Sequence, residues 1–157
     1  MVRARFRIAL WVFLNDVLAR LCAFAVFAAG GLIAITSPHS PAETASRLEA
    51  AVKQRGLTVF ARIDHVDGAS AVGQTLRPTE VFIFDSAQAG TPFMECQQTV
   101  GIDLPLKALI WQDANQQTWF GFNDPAWLAR RHGADACPSV EDLTKALADL
   151  GAAATSQ

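Results

Sequence analysis

Glycine and proline are sparse, at 10 and 7 of 157 residues, and charged residues make up only 18% of the chain. Disordered, collagen-like and low-complexity chains need far more of one or the other, so those classes are excluded. Positive charge is not in excess: 13 Lys and Arg face 15 Asp and Glu, for a formal net charge of -2. A nucleic-acid partner normally leaves its footprint as a clustered basic surface, and this overall charge supplies none. Neither GxGxxG nor GxxxxGKS/T occurs, which removes the common nucleotide fingerprints. The three cysteines and three histidines form no CxxC, HxxxH or HExxH spacing, which argues against a dedicated structural zinc site. Ser70, Ser86 and Ser139 lack the elbow context of a hydrolase nucleophile. What remains is a 51% hydrophobic chain of one domain's length, with enough apolar residues for a packed core.

The basic residues of the first half are concentrated at the start. Arg3, Arg5 and Arg7 precede an apolar stretch running from Ile8 to Ile35. A positive start, an apolar middle and small residues at its end make up a secretory signal peptide; Leu21 to Ala29 is the cleanest middle, and Val26 and Ala28 fit a cleavage site. Asn15, Asp16 and Arg20 interrupt the run, and a charge at a bilayer centre costs about 2.5–3.5 kcal/mol, so no single span stands out. An uncleaved anchor and a buried amino-terminal helix are the alternatives. The expected division is residues 1–28 as signal peptide or membrane anchor and 29–157 as the folded domain. That domain is placed in the periplasm, or anchored facing it, with membrane contact only through residues 1–35. Without residues 1–28 the chain keeps 9 basic and 14 acidic residues, a net charge of -5, and is not drawn to anionic lipid. An oxidising compartment would let Cys96 and Cys137 pair; the alternative is two small buried thiols.

Along the domain, Gly31 to Ser37 reads as a strand. Ser40 and Glu43 have capping-box spacing with Pro41 at the first helical position, which predicts a helix to Arg55 ended by Gly56. Leu57 to Asp64 alternates as a half-buried strand does. A short helix is expected over Asp67 to Thr75 and a strand over Glu80 to Asp85, followed by a helix opened by Thr91 and Pro92 and closed near Gly101. Leu104 to Asp113 and Thr118 to Asn123 read as a hairpin. Asp124 and Pro125 start a helix ended at Gly133, and Ser139 with Asp142 starts the last, with Val140, Leu143, Leu147 and Leu150 as its stripe. This order indicates an α+β fold: a single mixed or antiparallel sheet of about five strands, helices layered mainly on one face, and a signal or anchor helix before it. In this register Phe60, Trp111, Phe120 and Phe122 share the second face, which a helix, a ligand or a second subunit must cover.

Chemistry-bearing residues gather where strands meet loops. Asp64, His65 and Asp67 sit at one such junction, which suits a metal or proton-transfer role or, more plainly, a histidine satisfied by the loop and Asp67. Arg77 and Glu80 flank Pro78 and can pair with each other or with a ligand. Asn123 and Asp124 make a turn and cap, and Arg131 and His132 sit where a helix dipole favours positive charge, at about 0.3–1 kcal/mol. His39, before the first long helix, is expected to face water.

LeuArgProThrGlu at 76–80, GlyThrPro at 90–92, LeuProLeu at 104–106 and AsnAspPro at 123–125, preceded by AspHis at 64–65, together resemble the domain-of-unknown-function family DUF302. The resemblance covers roughly Leu32 to Leu150. It implies an α+β fold with a β-α-β(4)-α plan like the TATA-box-binding protein, commonly dimeric, and supports Gly31 to Ser37 as the first strand. Some relatives carry a cysteine where this chain reads AspSerAla at 85–87 or LeuProLeu; here neither segment has one. The family carries no established activity, so no catalytic residue or cofactor comes with it. The resulting expectation is a non-enzymatic, homodimeric envelope module that binds a small ligand or partner near Asp64, His65, Arg77, Glu80, Asn123 and His132. The alternatives are a metal-dependent or acid–base enzyme using Asp64, His65, Glu80 and His132, and a structural envelope-assembly protein.

Overall fold

The computed structural model describes residues 26–157, so the leader reading lies outside the described residues except at its last positions, 26–28, which belong to a strand. That strand, β1 (Val26–Ala29), turns back through Gly30 and Gly31, both at positive φ, into β2 (Leu32–Ser37). The chain continues through α1 (Pro41–Gln54), β3 (Thr58–Asp64), α2 (His65–Ser70), β4 (Thr79–Asp85) and α3 (Ala87–Cys96). A 3-10 turn (Gln98–Ile102), β5 (Leu106–Gln112), β6 (Thr118–Asn123), α4 (Pro125–His132) and α5 (Ser139–Thr155) complete it. Among the described residues the strands form one sheet of six in the order β1-β2-β6-β5-β4-β3, and every neighbouring pair is antiparallel. Short helices α2 and α3 interrupt the run of strands that a β-α-β(4)-α plan would leave unbroken.

α1 and α5 pack side by side on one face of this sheet, α1 over β3, β5 and β6 and α5 over β2 and β6. Between them lies the core: Phe82 and Phe84 of β4, Ile110 of β5 and Phe120 of β6 are fully buried against Leu48 and Val52 of α1 and Leu147 and Leu150 of α5. Each such side chain contributes about 1.5–3 kcal/mol through burial. The aromatic register differs from the expected one. Ile110 pairs with Phe120 and Ala108 with Phe122 on the helix side, while Trp111 pairs with Trp119 on the opposite side, where the two rings stack 6.0 Å apart. The hairpin sets this alternation: the Asp113 carboxylate accepts the N–H groups of Asn115 and Gln117 and the Trp119 indole N–H. Phe60 is displaced from both sets because the β3–β4 register shifts between Val59 and Ala61, and the residue in between has no cross-strand partner.

Three helix starts depart from expectation. α2 begins two residues early because the Asp64 carboxylate accepts the Val66 N–H, and it ends at Ser70. α3 begins at Ala87, capped by Ser86, whose hydroxyl accepts the Ala89 N–H; Thr91 and Pro92 lie inside the helix on its exposed side, where the missing proline N–H faces solvent. α5 is entered through Pro138, with no side-chain cap, and the Ser139 hydroxyl instead lies 3.1 Å from Cys137 Sγ. Cys96 and Cys137 form a disulfide with their Cα atoms 5.8 Å apart, tying the end of α3 to the entry of α5. His39 lies in the loop before α1 as expected, half-buried, with its Nε2 2.6 Å from the Ser156 carbonyl, which also accepts from Arg47.

Candidate functional site

The expected site residues are not gathered in one place. Asp64 and Glu80 are cross-strand partners and line one cavity of about 400 Å³ at the start of α1. Neither carboxylate is idle there: Asp64 caps α2, and Glu80 takes two hydrogen bonds from Arg62, at 2.7 and 3.2 Å. Arg62 also binds Glu49 and lies over the Phe82 ring, and Glu80 above all holds its guanidinium pKa above the ordinary value. Glu80 therefore pairs with Arg62 and not with Arg77, whose Nε donates to the Gln112 carbonyl. His65 is exposed at the start of α2, and its ring makes no hydrogen bond to Asp67 or to the loop among the described residues. Asn123 is exposed at the end of β6.

His132 belongs to a different cluster. Its Nε2 lies 2.7 Å from Asp103 Oδ2 and its Nδ1 3.0 Å from the Thr99 hydroxyl, with only 8% of the side chain exposed. Asp103 also receives Arg131, whose guanidinium reaches over Trp127. These contacts close the 3-10 turn onto the end of α4. The structure thus does not gather Asp64, His65, Glu80 and His132 within the hydrogen-bond reach that shared acid–base work needs. Among the described residues, no three His, Cys, Asp or Glu side chains form a metal-binding group.

One titratable residue that sequence reading passed over occupies a stronger position. Asp85 ends β4 and is only 7% exposed, yet no cation pairs with its carboxylate among the described residues. Oδ1 accepts the Ser86 N–H at 2.7 Å, and burial pushes the carboxyl pKa above its ordinary value, against backbone hydrogen bonds from Ser86 and Leu106 and the charge of Lys107. Asp85 lines a cavity of about 410 Å³ between the start of α3 and the Leu104–Pro105 segment, whose peptide bond is cis. Phe60, turned out by the β3 irregularity, and Met94 supply apolar walls. Gly90 leaves the room: a Cβ there would lie 3.0 Å from Asp85 Oδ2. The signal in the sequence was an acid closing the otherwise apolar run Val81 to Phe84 just before a capping serine. A carboxylate buried without a counter-ion at the edge of a cavity is costly for stability alone, which makes it a candidate for ligand contact.

Asp85, Ser86 and Ala87 of the AspSerAla segment, Gly90 and Thr91 of GlyThrPro, and Leu104 and Pro105 of LeuProLeu all line this one cavity. A family model described as a domain of unknown function, DUF302, matches residues 33–150, most of the chain. The chain belongs to the DUF302 family. A crystal structure of an uncharacterized conserved DUF302 protein from Bacillus stearothermophilus has the same fold, with a TM-score of 0.72 at 23% identity over 78% of this chain and 97% of that one. Curated relatives of this DUF302 chain include proteins named fluoride-specific ion channel FluC 1 from Brucella suis and from Brucella abortus, each 45% identical over 117 residues and 74% of this chain. The chain spans less than half of their lengths, 46% and 43% respectively.

Proposed function

We propose that this DUF302 domain is a binding module of the bacterial envelope that serves a membrane ion channel as an accessory part. The observation that carries this reading is the partial match to the named channels: 117 aligned residues at 45% identity fill under half of each relative. Most of those aligned positions necessarily fall within the described α+β residues, among which no helix is long and apolar enough to cross a membrane. The ion path of such a relative then belongs to its other half, and the part shared with this chain is an attached domain. The arginine-led apolar stretch before the domain and the Cys96–Cys137 disulfide favour a place on the oxidising side of a membrane, cleaved free or anchored. A second copy of the chain is the partner proposed for the sheet face opposite α1 and α5, and small-ligand binding is proposed for the Asp85 cavity. The dispersal of Asp64, His65, Glu80 and His132 over separate clusters favours binding over acid–base catalysis.

Deletion of the coding sequence in the native host tests the channel link. Growth is expected to become more sensitive to fluoride and to recover when the intact protein is restored. Unchanged growth across a fluoride series, with the channel gene present, would remove the link and leave the domain's fold and family untouched.

A further inference from the structure

We propose that the Asp85 cavity is a site for a small organic cation, an amine with an apolar body, whose ammonium group bonds the Asp85 carboxylate. The proposal rests on the reading of the domain as a binding module and not on the channel link. Four features carry it.

The cavity, at about 410 Å³, is within the range that holds small ligands. Asp85 is more than nine-tenths buried, and among the described residues its carboxylate accepts backbone N–H groups alone, that of Ser86 on Oδ1 and that of Leu106. The charged group that acts on it is Lys107 of β5, whose ammonium is held on the carbonyls of Asp103 and Pro105 and forms no ion pair with it. β3 brings Thr58 opposite Asp85 and Phe60 to the rim, and α3 brings Gly90, Thr91 and Met94, so neither adds a charge.

The walls complete the chemistry. Phe60 is 59% exposed, an unusual position for a phenylalanine in a strand, and it lies there because of the register shift at Val59/Ala61. Irregularities of this kind commonly re-aim a side chain beside a site. A phenylalanine face and a methionine thioether attract a cation, whereas an anion meets the Asp85 charge. A neutral ligand of the same shape gains the walls alone.

Benzylamine, benzyl alcohol and benzoate are the probes, added to the intact protein and followed by amide chemical shifts of Ser86, Gly90, Thr91 and Gly101. Benzylamine is expected to shift these signals saturably and to bind at least about tenfold more tightly than benzyl alcohol, as one charge-assisted hydrogen bond implies. Asp85→Asn removes that preference, and Phe60→Ala, at an exposed position that leaves the core intact, weakens benzylamine several-fold. Benzylamine affinity falls as the pH drops and the carboxyl takes up its proton. Equal binding of benzyl alcohol or benzoate would overturn the cation class while leaving a ligand cavity. Signals that no probe moves would overturn the cavity as a site, with the fluoride phenotype still free to stand.

Discussion

Asp85 shows how one side chain can run against the stability of the molecule that holds it. Its pKa is raised, chiefly by burial, above an ordinary value of 3.8, so the folded state binds a proton more readily than the unfolded chain does. The stabilisation from that proton is complete below the unfolded value and is lost as pH rises through the folded one. At neutral pH the charged carboxylate is therefore a cost. Asp85→Asn keeps the size and an acceptor for the Ser86 N–H without the charge. The variant is expected to be at least as stable as the parent at neutral pH in urea unfolding. The difference between the two should shrink or reverse toward pH 4, while a variant much less stable at neutral pH, with the gap closing toward pH 4, would show that the ionised form is structurally required. Asp113 works in the other direction: the Trp119 indole N–H above all holds its pKa below the ordinary value, so its contribution is present at neutral pH and lost in acid. The sequence could not rank these two acids. Both end strands, and only the assembled fold shows that one is roofed by α3 and the other by a tryptophan donor.

At the scale of elements, glycines and the disulfide offer sharp tests. Gly151 lies in α5 against the sheet, and a Cβ there would meet Ile35 and Phe120 at 2.9 Å. Helix propensity alone predicts a gain of about 1 kcal/mol for Gly→Ala, but overpacking of a tight core costs about 1–3 kcal/mol, so Gly151→Ala should lower stability on balance. Gly68 in α2 has open space around its Cβ position, and Gly68→Ala should raise stability by about 0.5–1 kcal/mol. Paired denaturant curves check both signs at once. The Cys96–Cys137 bond closes a 41-residue separation, for which chain-entropy arguments give about 2–4 kcal/mol. Reduction, or Cys96→Ser with Cys137→Ser, should cost that much, and two free thiols beyond that of Cys22 in the unreduced, denatured protein would show that the bond does not form. Element existence was legible in the sequence wherever period and cap agreed: Ser40 with Pro41, Asp124 with Pro125, and the 58–64, 79–85 and 118–123 strands all appear. It failed where two local signals competed. Thr91 with Pro92 looks like a helix start, and Ser86 five residues earlier provides the real one; the site stayed hidden because its walls come from three such segments that are distant in sequence.

At the scale of the molecule, α1 and α5 pack on one sheet face, and neither covers the other. Across that second face run Ile63, Val81 and Leu109, none of them buried, in register with Gly121 and Ala34, which are buried, and flanked by the stacked Trp111 and Trp119. Gly121 serves this face: a Cβ there would lie 2.9 Å from the Trp111 ring, so the indole lies flat against the strand. A groove of about 670 Å³ opens along it between Leu109, Trp111 and the exposed 75–77 segment. Antiparallel sheets tolerate one face in water when that face is polar, and this one is mostly not. A second copy meeting it by a twofold axis would cover the same row on both partners, which is the cheapest arrangement of a repeated apolar patch. Sedimentation should then show a dimer that dissociates on dilution, and Leu109→Lys should give a folded monomer, because Leu109 is only partly buried and contributes little to the helix-side core. A protein that stays monomeric at high concentration would leave this face to the rest of its own chain or to the channel partner proposed above. Cross-linking from Trp111→Cys to that partner would separate those outcomes.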